Sequence, residues 1–433
     1  MSTFQIIVLG VCAALILIGV GVFASFGGVL GGGSLGRVTI WGTADNNTID
    51  QLITTLRSSD DAFQDVSYIE KDPATYHDQL INAMAAGTGP DLILLAHDEL
   101  HSFEDKLLTI PYGMVSQTSF LNSFIDESQL FLTTEGELAL PFIIDPLVMY
   151  WNRDLFASAG VALPPQFWND FLTLAPKITS LDAGANVKKS AVALGQWQNI
   201  AHAKAILSTL FMQAGDRIVV RGQGGALDAV FGSTPSNAPS NPAESALRFY
   251  TEFANPSKTT YSWNRTLPLS TTAFTAGDVA VYFGFASEYP MIAARNPNLR
   301  FGVDKVPQIE GASNRITFGR LTGLAIPRNS GNPSGAAQIA QKLASSEAVS
   351  VLASLTGLPP VRRDVKVDTS SNAAMAVFAD SALISRGWVD PSKAETDLIF
   401  KTMIESVISG RSDTGAAVGE ASRAFDKLVE VPL

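Results

Sequence analysis

The hydrophobic pattern divides the chain into an apolar N-terminal segment and a mixed body. Residues 1–36 contain no Asp, Glu, Lys or Arg, and a mostly apolar run from Ile6 to Phe26 is followed by a glycine-rich stretch ending at Gly36. A run of about 20 apolar residues is what a helix needs to cross the hydrocarbon core of a bilayer. The pattern therefore predicts one N-terminal transmembrane helix and a glycine-rich linker ahead of a globular body.

A cleavable signal peptide is the alternative interpretation of this run. Such a signal usually has a basic n-region, an apolar stretch of about 7 to 15 residues and a small-x-small cleavage site. Here Met1–Gln5 carries no basic side chain, the apolar stretch is longer, and Val22–Ala24 offers only a passable cleavage site. We therefore expect a single-pass anchor in the cell membrane with the body on the extracytoplasmic side. Cleavage would instead give a secreted or periplasmic protein.

The body begins with short apolar runs that alternate with amphipathic segments. Arg37–Trp41 and Val66–Glu70 are typical of strands, whereas Thr48–Leu56 and Thr75–Ala86 are typical of helices. In the segment Asp91–Leu95 every residue after the aspartate is apolar, as in a strand buried on both faces of a parallel sheet. The alternation of strand and helix predicts an α/β fold.

Three later segments predict further buried strands. Leu138–Trp151 is a long extended stretch interrupted by Asp145-Pro146, and Phe274–Gly284 is a turn followed by a strand. Ile316–Pro327 predicts a pair of strands, with glycines at 319 and 323. These segments extend the α/β pattern over most of the body.

Composition and charge limit the function classes. The chain has 41 acidic and 30 basic residues, a net charge of -11 and no basic block, which excludes nucleic acid as a partner. Its one cysteine, Cys12, lies in the apolar run, so the body has no disulfide or thiolate metal site. A body of roughly 395 residues exceeds one hydrophobic core and predicts at least two lobes. No motif indicates a cofactor.

Several short segments, taken together, point to a family. They are Val38–Trp41, Gly87–Asp98, Leu140–Asp145, Met149–Leu155, Phe274–Val281 and Thr356–Pro359. In this order and over nearly the whole body, they resemble the extracellular solute-binding proteins of ABC importers, family 1, of which the maltodextrin-binding proteins are familiar members.

The resemblance implies a two-lobed α/β fold of the periplasmic-binding-protein type, type II, with lobes discontinuous in sequence. The expected N-lobe is 37–146 with 295–345, and the expected C-lobe is 147–294 with 346–433. The crossing segments are expected near Ile143–Tyr150, Phe283–Tyr289 and Gln341–Leu352. The resemblance further implies that the lobes close around a solute as rigid bodies by hinge motion.

The function implied by the resemblance is capture of a solute, most simply a carbohydrate, and its delivery to the transmembrane permease subunits of an ABC importer. A binding protein of this kind is a monomer and has no catalytic activity. Leu95 replaces an aromatic residue and Glu99 a basic residue of the maltodextrin pattern, so a long glucan is not predicted. The alternatives are binding of a polyamine or other small solute, a membrane-tethered sensor, and glycoside hydrolysis.

Two carboxylates correspond to cleft acids of the family. Asp98 follows a buried strand, where α/β sheets place ligand sites, and its alternative role is to cap the next helix. Asp145 interrupts an apolar run, and a carboxylate there needs a partner. We expect ligand contact from Asp145 or, alternatively, a hydrogen bond at the hinge.

Six other residues complete the predicted ligand site. Asp45 and Asn46 lie in the first strand-to-helix turn, where simple capping is the alternative. Trp41, Trp197, Phe285 and Tyr289 are candidate platforms on which the C–H face of a sugar would stack. Each of these rings is alternatively a core aromatic.

Two enzymatic alternatives rest on particular spacings. His97 and His101, at i and i+4, would share a helix face as a zinc site requires, but the Glu of an H-E-x-x-H motif is absent. Asp98 and Asp145 would be the carboxylate pair of a glycoside hydrolase. The family resemblance favours binding without chemistry, and we predict no metal and no catalytic residue.

Overall fold

The computed structural model describes residues 35–222, 225–233, 240–312, 314–367 and 373–430. The predicted transmembrane helix, its cleavage site and most of the glycine-rich linker lie outside these ranges. Within them, every helix is too short or too polar to cross a bilayer.

The chain forms two compact units. The first contains residues up to 93 together with 326–343, and the second contains 94–325 together with 344–433. The chain thus passes between the units three times, at 93/94, 325/326 and 343/344. The last passage lies in the predicted crossing Gln341–Leu352, whereas Ile143–Tyr150 and Phe283–Tyr289 lie within the second unit. The predicted boundaries of the ligand-binding lobes stay a proposal.

The first unit contains a parallel sheet with the order β2-β1-β3. Strand β1 (Val38–Gly42) pairs in parallel with both β2 (Val66–Glu70) and β3 (Leu92–Ala96), which extends past residue 93. The helices α1 (Asn46–Arg57) and α2 (Tyr76–Ala85) connect these strands. The predicted alternation of strands and helices is therefore confirmed, with the ends of the helices shifted by one or two residues.

The second unit is organised around the long strand β7 (Leu140–Asn152). Its first half pairs antiparallel with β14 (Thr317–Pro327), and its second half pairs antiparallel with β12 (Val279–Phe285) on one side and β13 (Phe301–Lys305) on the other. All seven residues of β12 are buried. The apolar run predicted at 138–151 is thus a central strand of a mixed sheet.

Shorter strands and helices complete the two units. The other strands are β4 (Leu107–Leu108), β5 (Ile110–Pro111), β6 (Gly136–Glu137), β8 (Ser180–Leu181), β9 (Val187–Val192), β10 (Val219–Arg221), β11 (Leu227–Ala229) and β15 (Ser385–Arg386). The other helices are α3 (Leu100–Phe103), α4 (Gln117–Ser123), α5 (Arg153–Ser158), α6 (Asp170–Ile178), α7 (Ala203–Gln213), α8 (Pro242–Glu252), α9 (Ser270–Thr275), α10 (Tyr289–Arg295), α11 (Pro333–Leu343), α12 (Ser346–Thr356), α13 (Ala373–Leu383), α14 (Lys393–Ile408) and α15 (Thr414–Val429).

The predicted pair of strands at 316–327 is wrong, because β14 is one continuous strand. Its two glycines do not form turns. A Cβ added at Gly319 would lie 1.9 Å from Oε2 of Glu127, and one added at Gly323 would lie 2.7 Å from the ring of Phe131. These glycines are needed because other side chains approach the strand closely. A register shift against β7 at Thr322/Gly323 accommodates this crowding.

Candidate functional site

The second unit contains a pocket of about 150 Å³ lined by both polar and apolar side chains. Its lining residues come from loops and element ends far apart in sequence. They are His97, Asp98, His202, Lys204, Ala205, Phe285, Phe318, Arg320, Trp388, Asp390, Lys393 and Asp397. Charged and aromatic side chains therefore meet in one small space.

Lys204, near the start of α7, holds one wall of the pocket together. Its Nζ donates to Asp390 Oδ2 at 2.7 Å, Thr396 Oγ1 at 2.6 Å and Asp397 Oδ1 at 2.8 Å. Burial raises the pKa of Asp390, and the charge of Lys204 opposes that rise. All three protons of this ammonium have acceptors, so Lys204 is fixed in place by the protein itself.

Asp98 lies beyond β3 and lines the pocket, as predicted. Its Oδ2 accepts a hydrogen bond from Nζ of Lys393, the first residue of α14. Burial is the largest influence on the pKa of Asp98 and acts to raise it, but the charge and hydrogen bond of Lys393, together with smaller contributions from neighbouring groups, outweigh burial and hold the pKa below its usual value. Asp98 is thus an ionised acceptor at the pocket, with Oδ1 free of any hydrogen bond from the described residues. It does not cap α3, which has no side-chain cap.

Another wall of the pocket is built on Phe285, the last residue of β12. The guanidinium of Arg320 lies 3.7 Å from the centroid of this ring, and the edge of His202 contacts it at 4.7 Å between ring centroids. Phe285 is 2% exposed. In this arrangement Arg320 covers the ring that the sequence suggested as a sugar platform.

His202 and Glu288 form a hydrogen-bonded pair behind this wall. His202 Nε2 lies 2.6 Å from Glu288 Oε1, and Tyr282 donates its hydroxyl to Glu288 Oε2 at 2.6 Å. Burial acts to raise the pKa of Glu288, yet its hydrogen bonds, first that from His202, hold it below the usual value. His202 has a φ of 61°, in the left-handed region that non-glycine residues seldom adopt. The loop before α7 thus holds the imidazole against Glu288 at a conformational cost.

His97 is a buried, neutral part of the pocket wall. Burial lowers its pKa to about 4, and its Nδ1 accepts a hydrogen bond from the Leu321 amide at 3.1 Å. The proton of the neutral ring is therefore on Nε2. A Cβ added at Gly387 would lie 2.9 Å from that Nε2 and 2.8 Å from Oε1 of Glu127, so the glycine allows both groups to approach.

Glu127 is a buried carboxyl next to this histidine. Neither of its oxygens has a hydrogen-bond partner among the described residues, and burial raises its pKa to about 8. Arg386 opposes that rise. Glu127 is therefore protonated at neutral pH.

Asp145 does not line this pocket. Its Oδ1 accepts from the Ser287 amide at 2.9 Å, and its Oδ2 accepts from the Ser287 hydroxyl at 2.6 Å. Burial raises the pKa of Asp145, and these hydrogen bonds together with the charge of Arg320 oppose the rise. Of the two roles expected from the sequence, the structure contains the hydrogen bond within the chain, and the ligand contact stays a prediction.

Trp197 and Tyr289 also lie away from the pocket walls. Trp197 is half-buried against the core, and its neighbour Asn199 uses its side-chain amide to bond the carbonyls of Asn264 and Leu267. Tyr289 packs against Phe301 and Phe378. Both rings are packed against the core, as expected from the alternative that they are core aromatics. Their contacts with a sugar stay predictions.

The three candidates from the first unit have partners within that unit. The Trp41 ring carries the Lys71 ammonium 3.6 Å above its centroid. Asp45 caps α1 by accepting from the amide and hydroxyl of Thr48, both at 2.8 Å, as the capping alternative expected. Asn46 bonds Asp50 through its side chain at 2.7 Å. Ligand contacts by these residues stay predictions.

The two residues of the zinc alternative do not share a helix face. His97 precedes α3, whereas His101 lies within it and faces Glu104 at 3.6 Å. In the described ranges no group of three His, Cys, Asp or Glu residues is placed to hold a metal ion. The spacing in sequence was misleading because the helix starts only at Leu100.

Comparison with known proteins identifies the family. Residues 60–379, which are most of the chain, match the family model of the bacterial extracellular solute-binding protein. This chain belongs to that family. The resemblance recognised in its motifs is thus confirmed.

Relatives of this solute-binding protein include binding proteins of Brucella abortus strain 2308 and Brucella suis biovar 1 strain 1330. Each is 23% identical over 366 residues, which cover 81% of this chain and 82% of the relative. The relatives, like the family, are named as binding proteins.

Solved structures show the same fold. An ABC transporter solute-binding protein from Thermotoga lettingae bound to α-D-tagatose has a TM-score of 0.67 and 21% identity, over 91% of this chain and 100% of that one. A cyclo/maltodextrin-binding protein with maltotetraose has a TM-score of 0.73 and 18% identity, over 92% and 98%. The cyclic α-maltosyl-1,6-maltose binding protein of Arthrobacter globiformis has 0.74 and 18%, over 91% and 99%. The fold is therefore that of the two-lobed α/β solute-binding proteins.

Sequence reasoning identified Asp98 and Phe285 among the pocket residues and missed most of the others. The missed residues with charged or aromatic side chains are His202, Lys204, Phe318, Arg320, Trp388, Asp390, Lys393 and Asp397. Lys204 and Asp390 are 186 residues apart in sequence. No local spacing signals such a pair, and only the fold brings the two together.

Proposed function

We propose that this protein is the solute-binding component of an ABC importer and that its solute is a carbohydrate. The pocket walls carry the proposal, because they combine charged donors and acceptors with one half-buried aromatic ring, that of Phe318. Sugars offer hydroxyls to such groups and an apolar C–H face to a ring. The sugars bound by the solved structures of this fold support the same class.

The size of the pocket favours a small sugar. Its volume of about 150 Å³ is small beside the roughly 300 to 1,000 Å³ of typical ligand pockets. A monosaccharide is of this order, whereas a long glucan is much larger. We therefore propose a monosaccharide-sized solute bound by Asp98, Lys393 and Phe318. The contacts predicted for the other candidates, from Trp41 to Tyr289, are additional proposals.

A polyamine is a weaker candidate on the same observations. A cationic ligand needs carboxylates that are free to pair with it. Asp98 is already paired with Lys393, and Asp390 and Asp397 are already paired with Lys204. A polyamine would have to displace these cations.

The N-terminal run completes the proposal. An uncleaved anchor would hold the protein at the cell membrane with its body on the extracytoplasmic side, next to permease subunits that receive the sugar. Cleavage would release the body instead. Membrane fractionation followed by N-terminal sequencing distinguishes the two, since a mature N-terminus near Ser25 would contradict the anchor.

A thermal-shift screen of the full chain in mild detergent tests the function. The compounds are neutral monosaccharides and oligosaccharides, polyamines, amino acids and acidic sugars. A ligand present at 100 times its Kd stabilises the folded state by about 2.7 kcal/mol, which is a clear shift in Tm. We expect stabilisation by a monosaccharide and recovery of that sugar unchanged after incubation. Stabilisation by polyamines alone, or hydrolysis of an oligosaccharide, would contradict the proposal.

A further inference from the structure

The acids of the pocket are already neutralised by cations of the same chain. Asp98 accepts from Lys393, and Asp390 and Asp397 accept from Lys204. Behind the wall, Glu288 is bonded to His202. No carboxylate that lines the pocket therefore waits for a positive charge from the solute.

Arg320 is the exception among the charged groups of the pocket. It is exposed, and its side chain has no ion pair or hydrogen bond with any residue in the described ranges. Its guanidinium carbon lies 3.7 Å from the centroid of the Phe285 ring, and its charge also acts on Asp145, the residue opposite it in the ladder between β14 and β7. Stacking covers one face of a guanidinium and leaves the N–H donors along its edge free.

This stacking also prepares the guanidinium for a particular partner. Because the planar fork is held against the ring, less side-chain freedom is lost when it forms hydrogen bonds. Two parallel N–H donors match the oxygens of a carboxylate or a phosphate, which accept them together, whereas a neutral hydroxyl accepts them one at a time.

Bound solute would remove water from Arg320. A charge taken out of water is costly unless it is paired. A neutral sugar would leave the guanidinium without an ion-pair partner, because the carboxylates of the pocket are already in use and both oxygens of the nearby Asp145 accept from Ser287. A solute with one anionic group would supply the missing charge.

We propose that the solute is an acidic sugar, with one carboxylate or phosphate group that binds the edge of the Arg320 guanidinium. This inference rests on the proposed function and names the class of carbohydrate. The sugar ring would lie toward Asp98 and Phe318, on the same pocket. Arg320 would thus select acidic over neutral sugars.

Titration calorimetry of the full chain with matched sugars tests the proposal. The probes are glucose, glucuronate and glucose 6-phosphate, and the corresponding sets built on galactose and mannose. We expect the acidic member of at least one set to bind about tenfold or more tightly than its neutral parent, the range for a hydrogen bond to a charged group. Comparing the uronate with the phosphate shows which anion is used.

Variants at Arg320 assign the selectivity to this residue. Arg320→Met should weaken binding of the acidic sugar about tenfold or more and change binding of the neutral parent by less than about threefold. Arg320→Lys keeps the charge but lacks the planar fork, so its affinity for the acidic sugar should lie between those of the wild type and Arg320→Met. Arg153→Met is the matched control, because that guanidinium also lies over a ring, Trp151 at 5.5 Å, but does not line the pocket. It should leave both affinities unchanged.

The outcomes separate the two proposals. If neutral sugars bind at least as tightly as their acidic forms, the acidic class is wrong while carbohydrate binding stands. Equal losses for both sugars in Arg320→Met would likewise overturn the role of Arg320. If no sugar of any set binds, both proposals fail. The comparison of matched sugars on the wild-type protein is decisive even if a variant does not fold.

Discussion

Two walls of the same pocket hold positive charge in opposite ways. Lys204 donates to three acceptors, one of which belongs to the nearly fully buried Asp390. Arg320 is exposed and stacks on Phe285 without an ion pair in the described structure. The first cation is used to hold the protein together, whereas the second is free for a solute. We therefore expect stability to depend on Lys204 and solute binding to depend on Arg320, although both side chains line the same pocket.

Replacement of Lys204 should give the largest loss of stability. Lys204→Met leaves Asp390 buried without its counter-charge, and breaking a buried pair in this way costs about 3 to 5 kcal/mol. Urea denaturation would measure the change. Lys189→Met is the control, because Lys189 pairs with Asp278 with both side chains well exposed, so the loss should be below about 1 kcal/mol. Equal effects of the two variants would contradict the structural role of Lys204.

Glu127 is a buried acid that, unlike Asp390, accepts no hydrogen bond from a cation among the described residues. Its pKa is raised from 4.5 to about 8 by burial, so the folded state binds this proton more tightly than the unfolded state. Stability contributed by the group is therefore present below pH 4.5 and falls by about 1.4 kcal/mol per pH unit as the pH rises toward 8. Glu127→Gln should lower the measured slope by this amount, whereas Glu137 and Asp216, whose pKa burial raises to about 7, keep their own contributions.

Denaturation curves at several pH values between 5 and 8 would measure the slope for Glu127→Gln and the wild type. The control is Glu135→Gln, at an exposed side chain of the same region. It should retain the wild-type dependence. A slope that persists unchanged in Glu127→Gln would mean that other groups cause it.

Asp145→Ala distinguishes a structural acid from a ligand contact. The change removes both hydrogen bonds from Ser287 and should cost about 1.5 to 3 kcal/mol of folding free energy, as for hydrogen bonds to charged groups. Chemical denaturation measures the loss, and Asp154→Ala, at an exposed site, provides the control. A large loss of sugar affinity without a loss of stability would instead support the ligand contact predicted from the sequence.

Arg320→Met should have the smallest effect on stability. An exposed cation over an aromatic ring contributes about 0.5 to 1 kcal/mol, so the unfolding free energy should change by no more than that. Urea denaturation of Arg320→Met and of Lys204→Met, both without ligand, would compare directly how much each cation contributes to the unfolding free energy. A loss as large as that of Lys204→Met would show that Arg320 also holds the fold.

Much of the fold was predictable because hydrophobic periodicity is local. Val66–Glu70 was predicted to the residue, and the buried runs at 138–151 and 274–284 proved to contain all but the last residue of β7 and of β12. The family followed from short motifs. The misassigned strand pair at 316–327 shows the limit, since glycines that admit Glu127 and Phe131 look in sequence like turn glycines.

The site was harder to predict because its chemistry depends on which partners each side chain finds. Asp98 follows an apolar run and Asp145 interrupts one, yet Asp98 lines the pocket with Lys393 and Asp145 accepts hydrogen bonds from Ser287. Phe285 was expected to be open to a sugar, and Arg320 covers it. These contacts join segments distant in sequence and leave no periodic signal.

The central place of β7 also has a consequence for folding kinetics. Its residues Leu140–Asn152 pair with strands that lie between Val279 and Leu324, so the sheet of the second unit cannot assemble until those later strands have been synthesised. Sheets with such long sequence separations fold slowly. At about 5 to 20 residues per second, an apolar strand would wait roughly 10 to 30 s for its partners. The nascent chain is therefore exposed to aggregation over this interval.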